Sequence, residues 1–173
     1  MEKNWSGTPA VPLRIKDVLE FDEKVAKAVW EDVDTNAAKV VLLTAGFPCK
    51  DLSALNVDGQ GLHGKSSGLF YHVLRVLELL RKTKPENSKV QVHFVIENVL
   101  SMEKSWQERI SLSLGAEALL LDPSGMGWCK RPRLHWSSFP IVQRDGERYY
   151  SMKGVQGLDV RLEKRPLEEH LDQ

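Results

Sequence analysis

The chain has 173 residues, a length suited to one domain of ordinary size. Apolar residues make up 42% and charged residues 28%, a soluble globular composition. Its 24 basic and 24 acidic residues cancel, so no global field selects a nucleic acid, a membrane or an acidic partner, and a nucleic-acid contact would have to come from a local patch. No apolar run approaches bilayer length, and the opening MEKNWSGTPAVP lacks the hydrophobic core of a secretory signal. Two cysteines, Cys49 and Cys129, are too few for a disulfide scaffold and read as reduced intracellular thiols.

Residues 1–12 read as an irregular lead-in rich in turn formers. DEKVAKAVW, 22–30, predicts a short amphipathic helix. VVLLTAG, 40–46, is a continuous apolar run closed by glycine and predicts a strand buried on both faces. Residues 47–67 are polar and glycine-rich and predict a long loop, of the kind that acts as a lid or is disordered. Leu69, Phe70, Val73, Leu74, Leu77 and Leu80 fall at helical spacing, with Ser66 or Ser67 offering an N-cap oxygen and Lys82-Thr83-Lys84-Pro85 ending the helix. VQVHFVI, 90–96, predicts a second strand, 102–115 a helix with Gly115 as C-cap, and EALLLD, 117–122, a third strand. RLHWSSF, 133–139, alternates and predicts a fourth. The tail from 141 is charged and shows little sign of core.

This alternation predicts an α/β fold, a Rossmann-like and mostly parallel sheet with flanking helices. Ligands of such sheets sit beyond the carboxyl ends of the strands. Cys49 falls just past the first strand and Glu97 just past the second, so a thiol and a carboxylate are expected at one edge.

Gly59-Gln-Gly-Leu-His-Gly64-Lys65-Ser66 satisfies the phosphate-loop pattern G-x-x-x-x-G-K-[ST]. That motif needs a buried strand directly before its first glycine, and LSALNVD carries Asn and Asp there instead. A nucleotide hydrolase is therefore the weaker reading, and the glycines suit a lid.

Taken singly, the candidate site residues have plain explanations. Cys49 alone suits an inert, half-buried cysteine, although Pro48 would aim it rigidly and nearby backbone N–H groups would favour a thiolate. Glu97 alone suits a solvated strand end, although a partly buried carboxyl there would carry a proton near neutrality. Arg131 and Arg133 alternate along the fourth strand and share a face, either a solvated basic one or a clamp for a carboxylate or phosphate.

Together they carry a resemblance. GFPC-x-DLS, then IENV, then RPR resembles the cytosine-C5 DNA methyltransferases from about Asp17 to Phe139. PCKDLSALN, with SGLFY and VLRVL after it and the spacing from Asp122 to Arg133, resembles the de novo branch in particular. The resemblance implies that Cys49 attacks C6 of a cytosine flipped out of double-stranded DNA, since C5 and C6 are unreachable in a stacked helix. It implies that Glu97 hydrogen-bonds N3 and the exocyclic amine, that Asn98 orients the strand end, and that Arg131 and Arg133 hold the cytosine carbonyl and the carboxylate. It makes 50–67 a mobile catalytic loop in which Ser53, Lys50 and Lys65 meet DNA phosphates. The cofactor implied is S-adenosyl-L-methionine, with Asp17 at the adenine amine and Leu69 as an apolar contact; no metal is expected. Trp30 reads as core rather than as an adenine-stacking residue.

Some family features are missing. No F-x-G-x-G loop precedes Asp17, the ribose-holding acid is absent, the closing helix is not found beyond 140, and Cys129 or Lys130 stands where the arginine motif has Gln. The expectation is a partial catalytic domain over 13–140, with 141–173 the start of a target-recognition region or a loose tail. Such a chain would bind the cofactor poorly alone. It would be either an enzyme fragment or a catalytically silent regulatory module acting with a full-length methyltransferase partner. The eukaryote-like branch implies the nucleus.

Overall fold

The computed structural model describes residues 16–121, 131–139, 141–143 and 150–152. The expected lead-in at 1–12, Asp122, Cys129, Lys130 and most of the tail lie outside them.

Helix α1 spans Glu23–Thr35. Asp22 caps it, its carboxylate accepting from the Val25 N–H at 2.8 Å. The helix outruns the predicted 22–30, because Val33 continues the apolar face of Val25, Val29 and Trp30 by one more turn. The rest of its last turn is polar, and Asn36 closes it by donating from Nδ2 to the Asp32 carbonyl at 2.8 Å. Trp30 is buried, as core, and its indole N–H donates to the Leu80 carbonyl at 3.0 Å.

Strand β1 (Val40–Gly46), helix α2 (Phe70–Lys82), strand β2 (Gln91–Val99), helix α3 (Lys104–Leu114), strand β3 (Ala118–Leu121) and strand β4 (Arg133–Ser137) follow. Gly115 ends α3 in the left-handed region at φ 64°, where a glycine carries no Cβ penalty. The sheet order is β1-β2-β4-β3. β1 and β2 pair in parallel, while β4 pairs antiparallel with both β2 and β3. Three of four strands thus share a direction, and the reversed β4 lies between two of them. The sheet is mixed: mostly parallel in strand direction, with one parallel pairing and two antiparallel ones. Strands β5 (Ile141–Gln143) and β6 (Tyr150–Met152) form a separate antiparallel pair.

All three helices pack on one sheet face. Leu43 and Ala45 of β1, Phe94 and Ile96 of β2, and Leu134 and Trp136 of β4 meet Phe70, Val73 and Leu77 of α2 and Ile110 and Leu114 of α3. α1 adds Ala26 against Val76 and Leu80. A large apolar side chain contributes roughly 1.5–3 kcal/mol when fully buried. An exposed ion pair such as Lys27–Glu23 contributes about 0.2–1 kcal/mol, so packing decides which face is covered. The expectation that β1 is buried on both sides is corrected. Leu42 is 50% exposed and Thr44 is exposed, because no helix among the described residues covers the outer face.

Two boundaries also differ from expectation. Neither serine caps α2, which begins at Phe70 after a 3-10 turn at Ser67–Leu69. β2 runs to Val99, so Glu97 and Asn98 lie inside the strand, held there by pairing with β4.

Candidate active site

The register sets the site. Gly46, the last residue of β1, is the ladder partner of Glu97, and Glu97 is the partner of His135 on β4. The chain leaving Gly46 reaches Cys49 three residues later, so the thiol-bearing turn rises from the same edge as the carboxylate. Phe47 anchors that turn, packing its ring against Phe70 with centroids 5.2 Å apart. Its carbonyl accepts from Asn98 Nδ2 at 3.0 Å, and Asn98 Oδ1 accepts from the Val99 N–H at 2.8 Å. Asn98 is 2% exposed. A buried amide satisfied at both ends holds the end of β2 to the approach of Cys49. Cys49 itself is partly buried, and Pro48 is exposed.

The backbone N–H groups from Asp51 to Ser53 are engaged. The Leu52 and Ser53 N–H groups both donate to the Cys49 carbonyl at 2.9 Å. The Asp51 N–H donates to Ser67 Oγ at 3.2 Å, and that hydroxyl donates to the Pro48 carbonyl at 2.8 Å. The N–H groups of residues 51–53 thus point to oxygen, and none of the three is left for the sulfur.

Glu97 faces the outer side of the sheet. Its Oε1 lies 2.9 Å from Arg133 Nε, and the two side chains are 38% and 26% exposed. Arg133 also donates from Nη1 to the Pro132 carbonyl at 3.0 Å. A Cβ at position 46 would come within 3.2 Å of Glu97 Oε2, so the glycine gives the carboxylate room. Arg131 is exposed and precedes β4, which begins at Arg133. The expected alternation of both arginines along one strand is therefore corrected.

The loop is anchored from inside. Asp51 Oδ2 accepts from the Ser66 and Ser67 N–H groups, each at 3.0 Å, and Ser67 is fully buried. The Asp51 backbone carbonyl accepts from the Gly61 N–H at 2.9 Å. Gly64 lies against the Asp51 carboxyl with no room for a Cβ. Gly61, at φ +57°, lies beneath the Trp106 indole. Leu52 and Leu62 are buried in the main core. These contacts correct the phosphate-loop alternative: the N–H groups that would cradle a phosphate hold the chain's own carboxylate, and α2 begins five residues after Lys65. Between these anchors the tip is open, with Leu55 and Val57 each 94% exposed. Lys50 and Lys65 are exposed. Ser53 Oγ lies 3.5 Å from Ser101 Oγ and accepts from the Leu55 N–H at 3.4 Å.

Asp17 and Leu69 flank α2. Asp17 is exposed, and one carboxylate oxygen accepts from the Leu19 N–H at 2.9 Å. The turn after it is held by Arg75 of α2, which donates to the Val18 and Phe21 carbonyls. Leu69 is partly buried in the turn before α2. Among the described residues, no group of three or more His, Cys, Asp or Glu gathers, and no helix is long and apolar enough to cross a membrane.

Gly46 and Asp51 belong to the GFPC-x-DLS motif, but the motif does not say what they touch. Ser67 reads as a cap and His135 as one step of an alternation, and Trp106 carried no signal of its place.

Parallel strands ending beside a Pro-Cys turn and a carboxylate–guanidinium pair, backed by helices on one face, define an α/β methyltransferase-like fold. The family model for C-5 cytosine-specific DNA methylase matches residues 2–113, and the chain belongs to that family. The match takes in Cys49 and Glu97 and ends before β3 and β4, so Arg133 lies beyond it. The family's chemistry is DNA cytosine methylation, and its methyl donor is S-adenosylmethionine.

Proposed function

We propose that this chain methylates C5 of a flipped cytosine in double-stranded DNA through a covalent adduct at Cys49, in the manner of the de novo branch it resembles. The observation that carries the reading is the shared sheet edge of the Cys49 turn and the Glu97–Arg133 pair.

The Cys49 thiolate adds to C6, forming an S–C6 bond as the C5–C6 π pair moves onto C5 and into the N3–C4 side of the ring. Glu97 brings a proton on one carboxyl oxygen to N3, while its other oxygen accepts from the exocyclic amine, and that proton offsets the negative charge that develops there. Arg133 holds the Glu97 carboxyl in that orientation, and Arg131 reaches toward the cytosine carbonyl. C5 then takes the methyl group, a base removes the C5 proton, and the electron pair returns to the ring as the S–C6 bond breaks. S-adenosylmethionine, when bound, supplies the methyl group. The exposed Asp17 carboxylate keeps one oxygen for its adenine amine, and Leu69 borders the same helix. Lys50, Ser53 and Lys65 meet phosphates and position the duplex.

The test is DNA carrying 5-fluorocytosine, presented with the methyl donor. Fluorine at C5 cannot leave as a proton, so a covalent adduct should accumulate and vanish in Cys49→Ser. If no adduct forms, even with a full-length methyltransferase partner supplied, the chain is the silent regulatory module instead.

A further inference from the structure

His135 shares the outer sheet face with Glu97 and Arg133. It is the direct ladder partner of Glu97, and Arg133 precedes it by two residues on the same face of β4. Side chains paired this way have Cβ atoms roughly 4.5–5.5 Å apart. On β3 its partner is Leu119, which offers no polar group. His135 Nδ1 is buried and has no hydrogen-bond partner.

A second histidine on this face behaves differently. His93 uses both ring nitrogens, with Ser138 Oγ and Gln91 Oε1 each at 3.0 Å, and stacks on Phe139. The other buried ring nitrogen without a partner among the described residues, His72 Nδ1, belongs to α2 on the opposite side of the sheet. A buried nitrogen left unpaired is a standing cost to stability, and it calls for an explanation where it occurs. Here it occurs beside the Glu97–Arg133 pair.

We infer that His135 is a positioning residue for Glu97, its Nδ1 reserved for the Glu97 carboxyl when that carboxyl, still held by Arg133, engages the base. In the tautomer with hydrogen on Nδ1, the ring donates to a carboxylate oxygen and fixes the plane of the group. The inference rests on the pocket reading above.

The experiment uses the full chain and a short duplex whose target cytosine is replaced by fluorescent pyrrolocytosine, which brightens on leaving the stack. It needs neither turnover nor methyl donor. Asn at position 135 restores a polar atom where Nδ1 stands, Gln restores one where Nε2 stands, and Phe keeps the ring without nitrogen. His135→Phe should raise Tm by about 2–4 °C, because an unpaired buried group is removed. It should also weaken capture of the flipped base about tenfold, the scale of one net hydrogen bond. His135→Asn should keep capture within about twofold of the unsubstituted chain, and His135→Gln should fall with Phe. Capture lost in Glu97→Ala but kept in His135→Phe overturns this inference alone. Capture kept in both, or absent from the unsubstituted chain, overturns the pocket reading and the inference together. A Tm that falls in His135→Phe shows that Nδ1 already makes a stabilising contact, and that also overturns it.

Discussion

Asp51→Ala probes whether the loop beside Cys49 is held from inside. The carboxylate accepts from two backbone N–H groups, those of Ser66 and Ser67, each at 3.0 Å. Ser66 is partly exposed and its N–H can turn to water, whereas Ser67 is fully buried and its N–H cannot. A hydrogen bond to a charged acceptor contributes about 1.5–3 kcal/mol, and an unpaired buried donor costs about 1–3 kcal/mol. The Ser66 bond is lost and the Ser67 donor is left unpaired, so the expected destabilisation is about 2.5–6 kcal/mol. Asp51→Asn keeps an oxygen acceptor without the charge and should lose roughly half as much. Gly64→Ala drives a methyl onto the same carboxyl. It should reach the same state from the other side, and the double variant should lose less than the sum. Urea denaturation gives the energies, and amide hydrogen exchange at Ser66 and Ser67 gives the location. Undiminished protection of the Ser67 amide in Asp51→Ala, or equal losses for the Ala and Asn variants, would refute the reasoning.

Gly46→Ala brings a methyl within 3.2 Å of Glu97 Oε2. Adduct yield on fluorocytosine DNA should drop roughly tenfold through misplacement of the carboxyl, with little change in Tm; unchanged yield would count against it. Trp30→Phe removes the donor to the Leu80 carbonyl and should cost about 1–2 kcal/mol in urea denaturation; an unmoved midpoint would show that water replaces the indole. Lys27, through its hydrogen bond, and then Lys82 hold the exposed Glu23 carboxyl below its ordinary value. A lowered carboxylate stabilises above its unfolded value, and that contribution fades as pH falls through the folded value. The Tm difference between the unsubstituted chain and Glu23→Gln should be small, shrink toward zero in acid, and shrink with added salt; a difference that grows in acid would reverse the assignment.

The common sheet edge of the Cys49 turn and Glu97 was legible because two parallel strands joined by one helix must end at the same edge. α2 and α3 were legible through their apolar period. The outer face of β1 was not. A run such as VVLLTAG records that a strand is apolar, while the face left bare depends on where distant helices dock. Strand direction was equally hidden, since nothing within RLHWSSF says that β4 runs against its neighbours. The Gly64-Lys65-Ser66 pattern misleads for a related reason: it records a set of backbone donors but not their occupant, which here is an aspartate more than a dozen residues earlier. His135 likewise reads as one polar step in an alternation, and only its surroundings leave a nitrogen unmatched.

The placement of Trp106 has a practical consequence. Its indole lies over Gly61 and meets His63 edge-on at 5.4 Å between centroids, while Trp30 and Trp136 sit deep in the core with their N–H groups engaged. Withdrawal of the loop from α3 therefore wets one indole and spares the other two. With Trp5 and Trp128 replaced by Phe, red-shifted emission would time the loop's opening in a stopped-flow instrument with no attached dye.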